Sequence, residues 1–208
     1  MTVVKSVRVN PPLVLASSSP RRRELLASLG LTFTVDPPEM DEGEPADGAD
    51  VEDWVLSLAM AKAEIVAARY PADHWVLAAD TVVRLGRRVF GKPANEKEAV
   101  RMLAALSGRT HQVLTAVALC NGGLDVDGHA VLVGTEVTFY PCTRAELKAY
   151  VATGESLDKA GAYAAQGFGA LLIDCIEGCY FNVVGLPLAT TARMLKRAGF
   201  DLWVSAEV

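Results

Sequence analysis

"LVLASSSPRRRELLASLG", Leu13 to Gly30, starts as an apolar strand and then becomes Ser-Ser-Ser-Pro followed by three arginines. Ser19 suits an N-cap and Pro20 the first helical position, so a helix is expected from there to Gly30, a favoured left-handed stop. Arg21, Arg22 and Arg23 then fall in the first turn. That end of a helix already carries about half a positive charge on its unpaired N–H groups and favours anions by roughly 0.3 to 1 kcal/mol. Two readings are open: the arginines point into water, or the turn and helix start form a phosphate site.

Composition narrows the classes. The chain has 208 residues, 51% of them hydrophobic, enough to bury a core in one domain or two closely packed lobes. A net charge of -5 and a pI near 5.3 argue against a general nucleic-acid or membrane-surface binder, so a basic site must be local. No apolar run approaches the roughly 18 residues of a membrane span, and the first dozen residues lack a signal-peptide core, so a cytoplasmic location is expected. Cys120, Cys142, Cys175 and Cys179 form no C-x-x-C pair, and His74, His111 and His129 are scattered, which argues against zinc. The cysteines read as reduced, buried thiols, although Cys175 and Cys179 could face each other across a hairpin turning at Glu177-Gly178.

Strands and helices alternate along most of the chain, which predicts an α/β fold with a mixed sheet. An acidic, Pro/Gly-rich stretch, "DPPEMDEGEPADGAD", reads as a mobile surface loop. A long helix capped by Asp50 should follow, with Trp54, Val55, Leu58, Ala59, Ile65 and Val66 on one face. Lys62 sits on or beside that stripe, where a lysine ordinarily snorkels to water. "WVLAADTVV" is a buried strand interrupted by Asp80, with a turn at Gly86 after it. Asn95 and Glu98 suit the start of a helix ending near Gly108. Strands are expected from His111 to Cys120 and from His129 to Phe139, then a helix from Thr143 to Val151. Beyond the Gly-rich "LDKAGAYAAQGFG", the pattern predicts a hairpin from Ala170 to Val184. A last helix enters through Gly185-Leu186-Pro187 and closes at Gly199. There is no internal repeat and no long linker, so 13–208 is expected to be a single domain behind an N-terminal extension, 1–12.

Asp80 carries the sharpest chemical signal. A buried, charged and unpaired acid costs several kcal/mol, so it needs a cation, a metal or several donors, unless the strand ends there and it caps a turn. "GRRVFGKP" imitates a phosphate-binding G-x-x-x-x-G-K-[ST] loop, but Pro93 replaces the hydroxyl residue and no helix opens after it. Lys92 remains either a point charge for a phosphate or a turn lysine. Cations at Arg21, Arg22, Lys62 and Lys92, with carboxylates at Glu42 and Asp80, make the inventory of a polyphosphate site. Its oxygen ligands suit magnesium or manganese. With no Cys-His or Ser-His pairing, water activated by a metal and a carboxylate base is the natural nucleophile.

"LASSSPRRRELL", "AADTVV", "GKPANEKEAVRMLAALSGRTHQVLTAVAL", "LDKAGAYAAQGFG" and "VVGLPL", in this order, resemble the Maf family of nucleoside triphosphate pyrophosphatases over roughly Leu13 to Leu195. The resemblance implies a Maf/Ham1-like fold: an elongated mixed sheet flanked by helices, with a central cleft between two lobes. It also implies cleavage of a nucleoside triphosphate between the α and β phosphates with a divalent metal, magnesium or manganese, and possible homodimers. By position, Arg21 and Arg22 would contact the nucleotide, and Lys62 and Lys92 would be catalytic cations. Asp80 would be the general base and, with Glu42, a metal ligand, although Asp41 and Glu44 lie close enough to compete with Glu42. "AGAYAAQG" is similar to the branch acting on dTTP and UTP. The branch cleaving 7-methyl-GTP tends to carry Ser-Phe and Glu where Tyr163 and Gln166 stand here. In the pyrimidine branch Arg21, Thr81 and Gln166 are the positions expected to set base choice, and the Gln166 amide can match both N3–H and O4 of uracil or thymine. The N-terminal extension, Arg23 and Phe181-Asn182 depart from the commoner pattern. Two other classes remain as rivals, a nucleotide-binding regulator of cell division and septum formation and a catalytically dead anion binder.

Overall fold

The structure is a computed structural model that describes residues 10–46, 48–123 and 128–203. Most of the expected N-terminal extension, residues 1–9, lies outside the described residues, as do 204–208. The opening unit forms as its caps dictate. Strand β1 (Leu13–Ala16) leads through the serines into helix α1 (Pro20–Ala27), whose N-cap Ser19 accepts from the Arg22 amide. The helix stops at Ala27, and a further turn carries the chain to Gly30 at φ +72. The remaining elements are β2 (Thr34–Val35), α2 (Val51–Ala67), β3 (Trp75–Leu85), β4 (Arg88–Phe90), α3 (Glu96–Leu106), β5 (Thr110–Asn121), β6 (Gly128–Phe139), α4 (Arg144–Val151), β7 (Ile173–Glu177), α5 (Tyr180–Val184) and α6 (Leu188–Arg197). Two short 3-10 turns, Ala160–Ala162 and Gly167–Leu172, precede β7. Asp50, Asn95 and Thr143 cap α2, α3 and α4 as expected, each accepting from first-turn amides.

The sheet has seven strands in the order β2-β1-β3-β5-β6-β7, with β4 also on β3. β1 runs parallel to β2 and β3, and the other pairs are antiparallel, so the sheet is mixed. One edge of β3 is covered by β5 from Trp75 to Arg84. The other edge is shared: β1 pairs with Trp75 to Ala78, and β4 with Val83 to Leu85. Between those two partners Ala79 to Val82 have no strand beside them, and Asp80 and Thr81 stand in that gap. The strand does not end at Asp80, so the turn-cap reading of this acid is corrected: β3 continues through it, paired to Ala116 of β5.

Side chains alternate across the sheet, and the core follows. Leu13, Leu15, Leu77, Ala79 and Val117 face α1 and α6. Val14, Ala16, Val76, Ala78 and Ala116 face Val55, Ala59, Ala63 and Val66 of α2. At the far end Val83, Phe90, Val113 and Phe139 pack with Leu103 of α3 and Leu147 of α4. The buried face of α2 is rotated slightly from the expected stripe: Lys62, Ala63 and Ala67 are buried, whereas Trp54 and Ile65 are only half-buried.

The hairpin expected from Ala170 to Val184 is corrected. Only β7 forms, because Gly178, at φ +129, sends the chain into α5 instead of a returning strand. Tertiary bonds outweigh the strand-forming residues of "YFNVV": buried Asn182 Nδ2 donates to the Val113 carbonyl and to Thr135 Oγ1, each at 3.0 Å. Cys175 and Cys179 therefore do not face each other across a hairpin. Cys175 is exposed and Cys142 and Cys179 are half-buried, so only Cys120 fits the buried-thiol expectation fully.

His111 lies in the far core, edge-on to Phe139 and Tyr163 at centroid distances of 4.9 and 5.4 Å, with Nε2 2.9 Å from the Tyr163 hydroxyl. Burial pushes its pKa down to about 4 from 6.5, against a smaller upward effect of the Arg109 backbone. The unfolded chain therefore binds this proton more readily. Stability from the neutral imidazole is complete above pH 6.5 and is lost as pH falls towards 4, on the order of 3 kcal/mol in total. Thermal unfolding followed from pH 7 to pH 5 should show His111→Gln with a shallower decline than the parent; parallel curves would exclude this imidazole as a source of acid sensitivity.

Candidate active site

The gap in β3 opens into a cavity of about 1210 Å³. All eight residues singled out from the sequence line it: Arg21, Arg22, Glu42, Lys62, Asp80, Thr81, Lys92 and Gln166. Asp80 and Thr81 are consecutive on a strand, so they point to opposite faces of the sheet. Asp80 points to α2 and Thr81 to α1.

On the α2 side, Lys62 is buried at 6% exposure and Asp80 at 5%. The snorkelling expected of Lys62 is corrected, since its ammonium turns inward and donates to Asp80 Oδ1. It also donates to Glu42 Oε1 at 2.7 Å, so one cation bridges two carboxylates. An ammonium has three donors and a buried carboxylate needs compensation, which explains why a lysine is tolerated on the apolar face of a helix. Burial alone would raise the Glu42 carboxyl, but the Lys62 hydrogen bond and charge, helped by Lys92 and Arg22, hold it below its ordinary value.

Of the loop acids named from the sequence, Glu42 and Glu44 both line the cavity. Glu42 reaches Lys62, whereas Asp41 accepts from the Gly43 amide. The loop is tied to the body at its start, where the Asp36 amide donates to the Leu15 carbonyl and Arg69 pairs with the Asp36 carboxylate at 2.8 Å. Pro37, Pro38, Met40 and Glu42 form one wall of the cavity.

On the α1 side, Arg22 answers why arginines begin a helix. Its guanidinium turns off the helix axis, with Nε donating to the Gly185 carbonyl at 2.9 Å, Nη1 to Ser17 Oγ at 3.3 Å and Nη2 to Thr81 Oγ1 at 3.0 Å. Burial draws its pKa below the ordinary value, opposed by the charges of Asp80 and Glu42. Arg21 lines the cavity beside it, and Arg23 is exposed on the outer side of the helix, as three consecutive helical side chains must diverge. Lys92 is exposed at the cavity rim, and β4 leading to it confirms that "GRRVFGKP" is a hairpin rather than a phosphate loop.

Gln166 is carried by a constrained turn. Gly161 takes φ +68 beneath Val83, where an added Cβ would meet Cγ2 at 2.9 Å, and the buried Ala162 takes φ +62, a strained value for a residue with a side chain. Glu155 holds the far side by accepting from the Phe168 and Gly169 amides at 3.1 and 3.2 Å. Sequence reasoning missed Ser17, Thr115 and Gly185 as partners of this site. Ser17 lay in view within the serine turn, but Thr115 and the Gly185 carbonyl become neighbours of Thr81 and Arg22 only through strand register and the placement of α5.

Glu42 and Asp80 are hard oxygen donors suited to magnesium or manganese. Among the described residues no group of three or more His, Cys, Asp or Glu is placed to hold a metal. Two carboxylates fit an ion that completes its shell with water and substrate phosphates rather than one held in a protein cage. No helix among the described residues is long and apolar enough to cross a membrane.

A family model described as Maf-like protein matches residues 12–198. A dTTP/UTP pyrophosphatase of Moorella thermoacetica is 54% identical over 198 residues, covering 92% of this chain and 97% of that protein. A protein of the same name from Myxococcus xanthus is 50% identical over 190 residues, covering 91% and 94%. Among solved structures, a HAM1 protein from Coxiella burnetii superposes with a TM-score of 0.54 at 16% identity, over 90% of this chain and 99% of that one, a likeness of fold.

Proposed function

The chain belongs to the Maf family, and on that footing we propose that it is a nucleoside triphosphate pyrophosphatase converting dTTP and UTP to the monophosphate and pyrophosphate. The observation that carries this reading is the convergence of Arg22, Lys62 and Lys92 with Asp80 and Glu42 on one cavity. The curated names of the Moorella and Myxococcus relatives support the choice of nucleotide.

In this reading Arg22 and Lys92 bind the phosphates, each anion oxygen gaining a charge-assisted hydrogen bond. Asp80 accepts a proton from the attacking water as its oxygen bonds to the α-phosphorus. The bond from that phosphorus to the bridging oxygen breaks, and pyrophosphate leaves with the electron pair. Lys62 holds the Asp80 carboxylate in place and offsets charge on the leaving phosphates. Glu42 and Asp80 would hold the divalent ion, which supplies charge neutralisation at the phosphates and activation of the water. Thr81 and Gln166 face the base together with Arg21. We further propose that the enzyme acts in the cytoplasm and that homodimers form.

Pyrophosphate release from dTTP, UTP, CTP and 7-methyl-GTP, each with magnesium or manganese and again after chelation, tests the assignment. dTTP and UTP should turn over fastest, and chelation should abolish activity until metal is returned. Equal or faster turnover of 7-methyl-GTP would reject the pyrimidine branch, and full activity in chelator would reject the metal.

A further inference from the structure

Behind Thr81 a chain of hydrogen bonds leads away from the cavity. Arg22 Nη2 donates to Thr81 Oγ1 at 3.0 Å, Thr81 Oγ1 lies 2.9 Å from Thr115 Oγ1, and Thr115 Oγ1 is 3.1 Å from the Asn182 carbonyl. Both ends of this chain have fixed polarity. A guanidinium can only donate and a carbonyl can only accept. Thr115 is fully buried, with no exposed area, and owns a single hydroxyl proton, which the Asn182 carbonyl takes. The bond between the two threonines must then use the Thr81 proton. The reverse direction would forfeit a bond in a buried network, leaving the Asn182 carbonyl with only the Gly185 amide. Thr81 therefore meets the cavity with its proton turned away and one lone pair occupied by Arg22, and what remains is an acceptor.

We propose that Thr115 is a positioning residue for base selection: it sets the proton direction of Thr81, so that the cavity offers an acceptor-only oxygen selecting a ring N–H. Uracil and thymine carry that donor at N3, whereas cytosine presents a lone pair there. The inference rests on the proposed pyrimidine triphosphate substrate and refines it. Gln166 cannot impose this choice alone. It is exposed and begins its 3-10 turn without a side-chain cap bond, and an amide that can turn over offers either a donor or an acceptor. Thr115 is absent from the cavity wall, so its effect passes through Thr81.

The test compares kcat/KM for UTP and CTP in the parent, Thr115→Val and Thr115→Ser. The parent should prefer UTP, and Thr115→Val, which frees the Thr81 hydroxyl to rotate, should reduce that preference about tenfold. Most of the change should come from improved use of CTP, and Thr115→Ser should restore the parent ratio. Should Thr115→Val fail to fold, Thr115→Ala carries the same expectation. A purely structural role would lower both triphosphates together and leave the ratio unchanged, which overturns the inference while UTP turnover by the parent still stands. A parent that uses neither UTP nor dTTP would overturn both the inference and the reading beneath it.

Discussion

Asp80→Asn is expected to lower kcat for UTP by about 10²- to 10⁴-fold, the usual share of a general base, with little change in the unfolding midpoint. The amide keeps the shape and retains an oxygen for the Lys62 ammonium, so the local hydrogen bond survives. What disappears is the ability to take a proton from water. Initial-rate assays of pyrophosphate release at saturating UTP, beside thermal unfolding, separate the two effects. A variant retaining a large share of the parental rate would remove Asp80 from the base role. The same variant also weighs the regulatory reading: loss of hydrolysis with an intact division phenotype favours a binding role, and loss of both favours the enzyme.

Lys62→Met should be the more damaging change to the fold. The substitution keeps the volume of the stem but leaves Asp80 buried without its cation and releases Glu42 from its 2.7 Å partner. Breaking a buried pair from one side costs about 3–5 kcal/mol, mostly because the surviving charge is uncompensated. Turnover should also collapse. Adding Asp80→Leu to Lys62→Met should recover part of the lost stability, since removing both partners is far cheaper than removing one, and should recover no activity. Chemical denaturation of the parent, the single and the double variants reads this directly. A double variant less stable than Lys62→Met alone would show that the charges are not coupled as the geometry implies.

How far these residues were legible in sequence depended on the range of the interaction that fixes them. Caps are local: Ser19-Pro20, Asp50, Asn95 and Thr143 each announced a helix start, and each formed one. Asp80 was conspicuous because an acid inside an apolar run demands compensation. Its partner was not, because Lys62 lies on another element 18 residues away and obeys an amphipathic pattern that disguises it. The choice of Glu42 over its acidic neighbours came by resemblance; Glu42 is the one that Lys62 reaches, while Glu44 lines the same cavity. The region after Ala170 misled for a related reason. Its glycine and β-branched residues imitate a hairpin, and only the distant acceptors of the Asn182 amide tip the segment into a helix.

The interrupted edge of β3 carries a mechanical implication. Because the floor beneath Asp80 and Thr81 is an unbroken β3–β5–β6 ladder, the two halves of the protein share a spine rather than a hinge. A joint at Asp80 would have to break the hydrogen bonds of that ladder directly beneath the cavity. Such a spine keeps acid and hydroxyl in fixed register before any nucleotide arrives, with the Lys62 ammonium of α2 already bound to the acid, so little of the binding energy is consumed in assembling them.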